Sequence, residues 1–132
     1  MLILAGALAL ATTACATVAR APKAVDLQPM HAAIVADVVE AMAGLWPPRA
    51  TILAGRRETL TPLDMLLMKA LSARGFTVRA SGSDEQAFDC VVDPIGDSMY
   101  RVSVRRGTSR LSRLWVWQGD RIYPGGAWVR GD

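Results

Sequence analysis

The sequence predicts an α+β fold, in which two helices pack on a small antiparallel or mixed β-sheet within a single domain. Its 132 residues are enough for one domain with a modest core. Apolar residues recur at helical spacing in the first half of the chain and alternate with polar residues in the second half. Helices followed by a run of strands are typical of α+β proteins, and 52% hydrophobic with 20% charged residues is a globular composition.

The first predicted helix covers residues 27–45. Its apolar stripe is Met30, Ile34, Val38, Met42 and Leu45, which is the pattern of an amphipathic helix. Asp37 and Glu40 are predicted to face away from the core. Pro47 and Pro48 prevent the helix from continuing. His31 lies one step off the stripe and is predicted to be a surface residue or core filler rather than a ligand.

A short buried strand is predicted at residues 50–55, and the second helix follows it. Thr61 is the expected N-cap, with Pro62 in the first helical position and Asp64 completing a capping-box variant. Gly75 suits the left-handed position after the helix. These end signals fix a helix of about thirteen residues, with an inward face of Leu63, Leu66, Leu67, Ala70 and Leu71.

The remaining sequence is predicted to form strands. Candidate strands are residues 76–80, 88–95 and 100–106, followed by a hairpin through Gly119 and Asp120 and a final segment, PGGAWVRG. The segment YRVSVRR alternates cleanly. One face, with Tyr100, Val102 and Val104, should be buried, and the other should meet water.

No residue pattern points to an enzyme, a metal or a small-molecule substrate. Nucleophilic catalysis by serine or cysteine needs a base, and His31, the only histidine, has no recognisable partner motif. Zinc sites need about four ligands at characteristic spacing, and no such pair of motifs occurs. The acidic residues Asp84, Glu85, Asp89 and Asp93 are interpreted as a solvated loop and an outward strand face.

The C-terminal third is basic, because residues 97–132 hold seven arginines against three aspartates. Arginines there interleave with aromatic residues, which occurs on protein interfaces and on single-strand nucleic-acid surfaces alike. Three interpretations stay open: core and sheet-face residues, a protein interface, or a surface for nucleic acid or anionic lipid. The candidate interface residues are Arg110, Arg113, Trp115, Trp117 and Trp128.

The first residues resemble a bacterial lipoprotein signal. Residues 2–11 are apolar but far shorter than the roughly 20 residues that span a bilayer as a helix, and small residues then lead to Cys15. In a lipobox, this thiol receives a diacylglyceryl group and the new N-terminus an N-acyl chain; no other cofactor is expected. Thr12 replaces the usual leucine, and no Lys or Arg precedes the apolar run. The alternative is a first core element with an inert Cys15.

The lipobox interpretation divides the chain into three parts: a signal peptide at 1–14, a lipidated N-terminus and linker at 15–26, and the α+β domain at 27–132. Ala16 after the cysteine resembles the signal for transfer to the outer membrane, so a lipid-anchored, periplasm-facing protein is expected. Acylation of Cys15 would exclude a disulfide with Cys90, the other cysteine, which is predicted to be a buried core thiol.

Several short motifs follow one another in the second half of the chain. Asp93-Pro94 precedes the strand YRVSV, a Ser112-Arg113 pair follows, and a Pro-Gly-x-x-Trp motif occupies residues 124–128. Together with Cys15 and the two helices, this order resembles the TrbH family of conjugal transfer lipoproteins. The resemblance implies a place in the mating-pair formation apparatus, a type IV secretion system, where a small lipoprotein stabilises an outer-membrane ring.

Two functional hypotheses follow. In the first, the protein is a structural subunit with two attachments: lipid holds it to the membrane, and the Trp and Arg residues dock on ring-forming subunits. Direct contact with nucleic acid is not expected in that case. In the second, it is a free-standing periplasmic-facing lipoprotein that binds a ligand or nucleic acid through its Arg/Trp-rich C-terminal third.

Overall fold

The computed structural model describes residues 28–56 and 58–131. Within them the chain forms two helices and a seven-stranded mixed sheet, so the predicted single α+β domain is confirmed. Cys15, the predicted signal peptide and the linker lie outside the described residues. None of the helices described combines the length and the hydropathy needed to cross a bilayer.

The helices are α1 (Gln28–Leu45) and α2 (Pro62–Arg74), and the strands are β1 (Ile52–Gly55), β2 (Thr77–Arg79), β3 (Ala87–Pro94), β4 (Met99–Arg106), β5 (Ser109–Gln118), β6 (Arg121–Pro124) and β7 (Val129–Gly131). The strand order is β2-β1-β3-β4-β5-β6, and β7 also pairs with β5. β1 is parallel to β2 and to β3; α2 is the crossover from β1 to β2, and residues 80–86 connect β2 to β3 on the other side of β1. All other pairs are antiparallel.

Helix α1 contributes its predicted stripe to the core, since Met30, Ile34, Val38 and Met42 are fully buried. Glu40 faces solvent as expected and accepts a hydrogen bond from Arg74. The prediction that Asp37 also faces away is wrong. Its side chain is only 22% exposed and pairs with Arg113 of β5. Helical spacing shows that Asp37 lies beside the apolar stripe, but it does not show whether a strand packs against that side of the helix.

Helix α2 begins and ends where its capping residues predict. Thr61 and Asp64 form both bonds of the capping box, with Thr61 Oγ1 accepting from Asp64 N and Asp64 Oδ2 accepting from Thr61 N. Leu63, Leu67 and Leu71 are buried as expected, and Ala70 is partly buried. Leu66, predicted to point inward, is 44% exposed. The buried stripe is a single i, i+4 row, and Leu66 falls beside it.

Gly75 ends α2 in the left-handed conformation, with φ +113°. We expect Gly75→Val to lower the free energy of unfolding by more than about 1 kcal/mol, because a β-branched residue resists this conformation. Urea denaturation measures the difference. Gly96→Val is the control, since Gly96 has open space around it and no left-handed strain. Equal stability of the two variants would contradict the assignment of this helix end.

Strands β6 and β7 behave as one strand interrupted by a bulge. Pro124 pairs with Trp115 and Val129 with Ser112, so the chain takes five steps while β5 takes three. The two extra residues lie in the segment Gly125-Gly126-Ala127-Trp128. A bulge of this kind bends the strand and re-aims the side chains that follow it, and here it places Trp128 over Arg113.

Gly125 is required by the close approach of the bulge to β5. A Cβ at this position would lie 2.6 Å from Val116 Cγ2, and a valine methyl group on a strand has little freedom to move. We expect Gly125→Ala to destabilise the domain by about 1 to 2 kcal/mol, as measured by urea denaturation. Adding Val116→Ala should recover most of that loss, and independent, additive effects would rule out this contact as the cause.

Candidate interaction surface

The sheet has one face covered by the helices. Tyr100, Val102 and Val104 are buried on it as predicted, and the register adds Leu111 and Trp115 from β5 to the same face. These side chains join those of α1 and α2 in one hydrophobic core. In the described part of the chain no helix covers the opposite face, which we call the open face.

Arg113 joins three parts of the domain beneath α1. Its Nη1 donates to both carboxylate oxygens of Asp37, at 2.7 and 3.0 Å, and its Nε donates to the Gly126 carbonyl oxygen at 2.6 Å. The guanidinium lies 5.8 Å from the centre of the Trp128 ring, within the range of a cation–π contact. Arg113 and Asp37 are each only 22% exposed. The arginine therefore holds α1, β5 and the bulge together.

The tryptophans of the domain are engaged in its own packing. Trp115 is 3% exposed and lies in the core. Trp117 and Trp128 are partly buried against that core, and Trp46 carries the Arg106 guanidinium 5.3 Å from its ring centre. Most of these tryptophans therefore contact other residues of the domain itself. In the described residues they do not form a row of exposed rings on which bases could stack.

The five candidate interface residues are consequently divided between two faces. Arg113, Trp115, Trp117 and Trp128 lie on the helix-covered side of the sheet, where Arg113 and Trp128 are in contact. Arg110 alone projects on the open face, where its Nη2 donates to Ser103 Oγ. Trp115 presents almost no surface to a partner in this fold. Whether Arg110, Trp117 and Trp128 contact a partner stays a prediction.

The open face is lined by arginines and carries one strong ion pair. Arg105 donates from Nε and Nη2 to the two carboxylate oxygens of Asp89, at 2.9 and 2.6 Å. This hydrogen bonding, together with the charge of Asp89, raises the pKa of Arg105. Arg101 lies four residues earlier on β4 and is exposed, with no ion pair to any described residue. Positive charge therefore predominates on the solvent side of β4.

Exposed apolar side chains collect on the open face near β5, namely Met99, Leu114, Tyr123 and Val129. Leu114 and Val129 line a depression of about 350 Å³ together with Arg101, Ser112 and Ala127. Val129 is 66% exposed. Exposed apolar groups gathered into a concave site indicate binding more strongly than singly scattered ones.

Sequence reasoning missed Leu114 and Val129. The segment SRLSRLWVWQ holds apolar residues at both alternating sets of positions, Leu111 and Trp115 in one set and Leu114 and Val116 in the other. Each set on its own would suit the buried face. The serines were the feature that could have identified the exposed set. Ser103 and Ser112 face each other across β4 and β5, and Leu114 lies on the same face as this polar pair.

His31 and Cys90, two residues considered in the sequence analysis, are both buried in the described domain. His31 is buried, and burial lowers its pKa, so it is neutral at pH 7. This places it as core filler, one of the two predicted roles. Cys90 is buried on β3 opposite Val104, as predicted for a core thiol. Within residues 28–56 and 58–131, no three His, Cys, Asp or Glu side chains lie close enough to hold a metal ion.

Most of the chain is similar to a known protein family. The family model described as "Conjugal transfer protein TrbH" matches residues 12–132. No curated protein and no solved structure matches the chain significantly. The matched range includes Cys15 and the whole described domain, so it extends well beyond half of the chain.

Proposed function

The chain belongs to the TrbH family of conjugal transfer proteins, and from this premise we propose that it is a structural subunit of a conjugative type IV secretion apparatus. Lipid on Cys15 holds it to the outer membrane on the periplasmic side, and the open face of its sheet docks on ring-forming subunits. The observation that carries the docking role is the collection of exposed apolar side chains around Leu114 and Val129.

The shape of the domain supports docking through the sheet. An antiparallel sheet that covers its core with one face normally presents polar residues on the other. Here the second face mixes arginines with Met99, Leu114, Tyr123 and Val129. Burying such a mixed surface against another protein removes apolar area from water while the arginines set the orientation.

The anchor is supported by the sequence and by the range of the family match. Cys15 follows a short apolar run and small residues, and it lies within the matched residues. One acyl chain binds a membrane only marginally, whereas several anchor firmly. A subunit bearing a lipobox product would thus be confined to the membrane that carries the apparatus, which favours assembly without a strong docking affinity.

A free-standing lipoprotein that binds a ligand or nucleic acid through its Arg/Trp-rich third is the alternative. Binding of single strands relies on aromatic rings offered to bases. In this domain Trp115 is buried, and the rings of Trp46 and Trp128 already carry Arg106 and Arg113. The internal use of these side chains favours protein docking.

Affinity purification tests the proposal. The full chain, tagged at its C-terminus, is extracted from membranes of mating cells after mild crosslinking. We expect ring-forming subunits of the apparatus to be recovered at a fixed ratio to the tagged chain. Recovery of the chain alone, with an affinity for DNA that falls steeply as salt rises, would support the alternative and contradict a structural role.

A further inference from the structure

We propose that the depression beside Leu114 and Val129 is the docking site for an acidic segment of a partner protein, which inserts one apolar side chain between flanking carboxylates. This inference rests on the proposed function and names the chemistry of the partner. It depends on the shape of the site and on the charge around it.

The shape of the site suits a side chain rather than a cofactor. Its volume of about 350 Å³ is near the lower limit of pockets that take small molecules, and it opens directly onto the sheet surface. Leu114 and Val129 form apolar walls, and Ala127 of the bulge closes one end. Gly126 and Ala127 of the bulge are among the residues that line the site, so the bulge contributes to its shape.

The charges at the rim favour acidic groups. Arg101 borders the depression and has no ion pair with any described residue. Arg110 lies on the same face, two residues along β5 from Ser112, and its described hydrogen bond is to a neutral hydroxyl group. Arg113, by contrast, is neutralised by Asp37 from beneath. Carboxylates that flank the inserted side chain would pair with Arg101 and Arg110.

A second copy is a weaker match when two open faces meet. On β3, β4 and β5 this face carries Arg101, Arg105 and Arg110 against Asp89 and Asp93, so two such faces would meet with net positive charge, which opposes association. The linker at residues 15–26 carries Arg20 and Lys23 against Asp26, so its net charge is also positive. An acidic segment of a partner therefore fits the site better than a second copy placed face to face or the linker.

In-cell photocrosslinking tests the inference. A photoreactive amino acid replaces Leu114 in the full chain, expressed in mating cells with the complete apparatus, and Ser72 on the exposed surface of α2 is the control position. We expect a single protein adduct from position 114 and none from position 72. In the same background, Arg101→Glu should reduce the adduct at least about tenfold, the loss typical of a central interface residue. Arg101→Lys should retain most of it.

Other outcomes would overturn the inference. An adduct with twice the mass of the chain identifies a second copy, and a nuclease-sensitive adduct identifies nucleic acid. Equal adduct yields in the Arg101→Glu and Arg101→Lys variants would contradict an acidic partner. The lack of any adduct from position 114 would contradict docking at this site. These results can be told apart from failure of the purification test. If ring subunits are recovered but no adduct forms at position 114, the structural role stands and docking uses another surface.

Discussion

Replacing Cys15 by serine should move the protein from the membrane fraction to the soluble fraction and abolish labelling with palmitate. The hydroxyl group of serine does not serve as the acceptor of the diacylglyceryl group, so no acyl chain remains to bury in the bilayer. The expected effect is close to complete. Sedimentation of cell lysates after labelling with radioactive palmitate measures both quantities in one experiment.

Cys90→Ala provides the matched control for this experiment. It removes the other cysteine of the chain, which is buried on β3, and should leave both labelling and membrane retention unchanged. If Cys15→Ser protein stays in the membrane fraction and still incorporates palmitate, the lipobox interpretation is wrong. The residues before Cys15 would then be a first element of the folded protein instead.

Arg113→Ala should lower the free energy of unfolding by about 2 to 3 kcal/mol, below the cost of breaking a fully buried ion pair and above that of an exposed one. The substitution leaves Asp37 partly buried without its cation and removes the donor to the Gly126 carbonyl oxygen. It also ends the contact with Trp128. Urea denaturation of the domain, followed by tryptophan fluorescence, measures the change.

Two further variants separate this role from a general effect of losing charge. Arg110→Ala removes an exposed arginine three residues away on β5 and should change stability by no more than about 0.5 kcal/mol. The double variant Asp37→Leu with Arg113→Leu should recover much of the loss, because apolar replacement of both partners leaves no buried charge. If Arg113→Ala is as mild as Arg110→Ala, Arg113 does not hold α1 to the sheet.

Local signals in the sequence predicted the helix ends accurately. Thr61 and Asp64 act through hydrogen bonds to each other's backbone N–H groups, and Pro62 and Gly75 act through their own φ angles. Such interactions depend on neighbours along the chain and not on the rest of the fold. The alternation of YRVSVRR was equally informative, because one residue in two faces the core of any half-buried strand.

Predictions that depended on tertiary contacts were less accurate. Asp37 and Leu66 lie on flanks of their helices, and helical spacing does not show whether a flank meets a strand or solvent. The bulge after Pro124 was not predicted, because its register arises from pairing with β5. Arg113 was assigned to a partner surface since nothing in its own segment indicated the carboxylate of α1, 76 residues away in sequence.

The proposed interaction surface was predicted in composition but not in position. The surface that we propose lies within the arginine-rich third that the sequence analysis singled out, and Arg110 lies on the open face. The apolar residues that shape the site, Leu114 and Val129, could be assigned only after the register placed them on the face opposite Trp115. Where one strand has aromatic residues on its buried face and aliphatic residues on its exposed face, residue type alone does not show which face is buried.

We propose above that lipid on Cys15 holds the protein to a membrane. Intact-mass spectrometry of the protein from the outer-membrane fraction of mating cells is the decisive test of this anchor. We expect a chain that begins at Cys15 and carries the added mass of a diacylglyceryl group and an N-acyl chain. A chain recovered from the soluble fraction with residues 1–14 still present and Cys15 unmodified would contradict it.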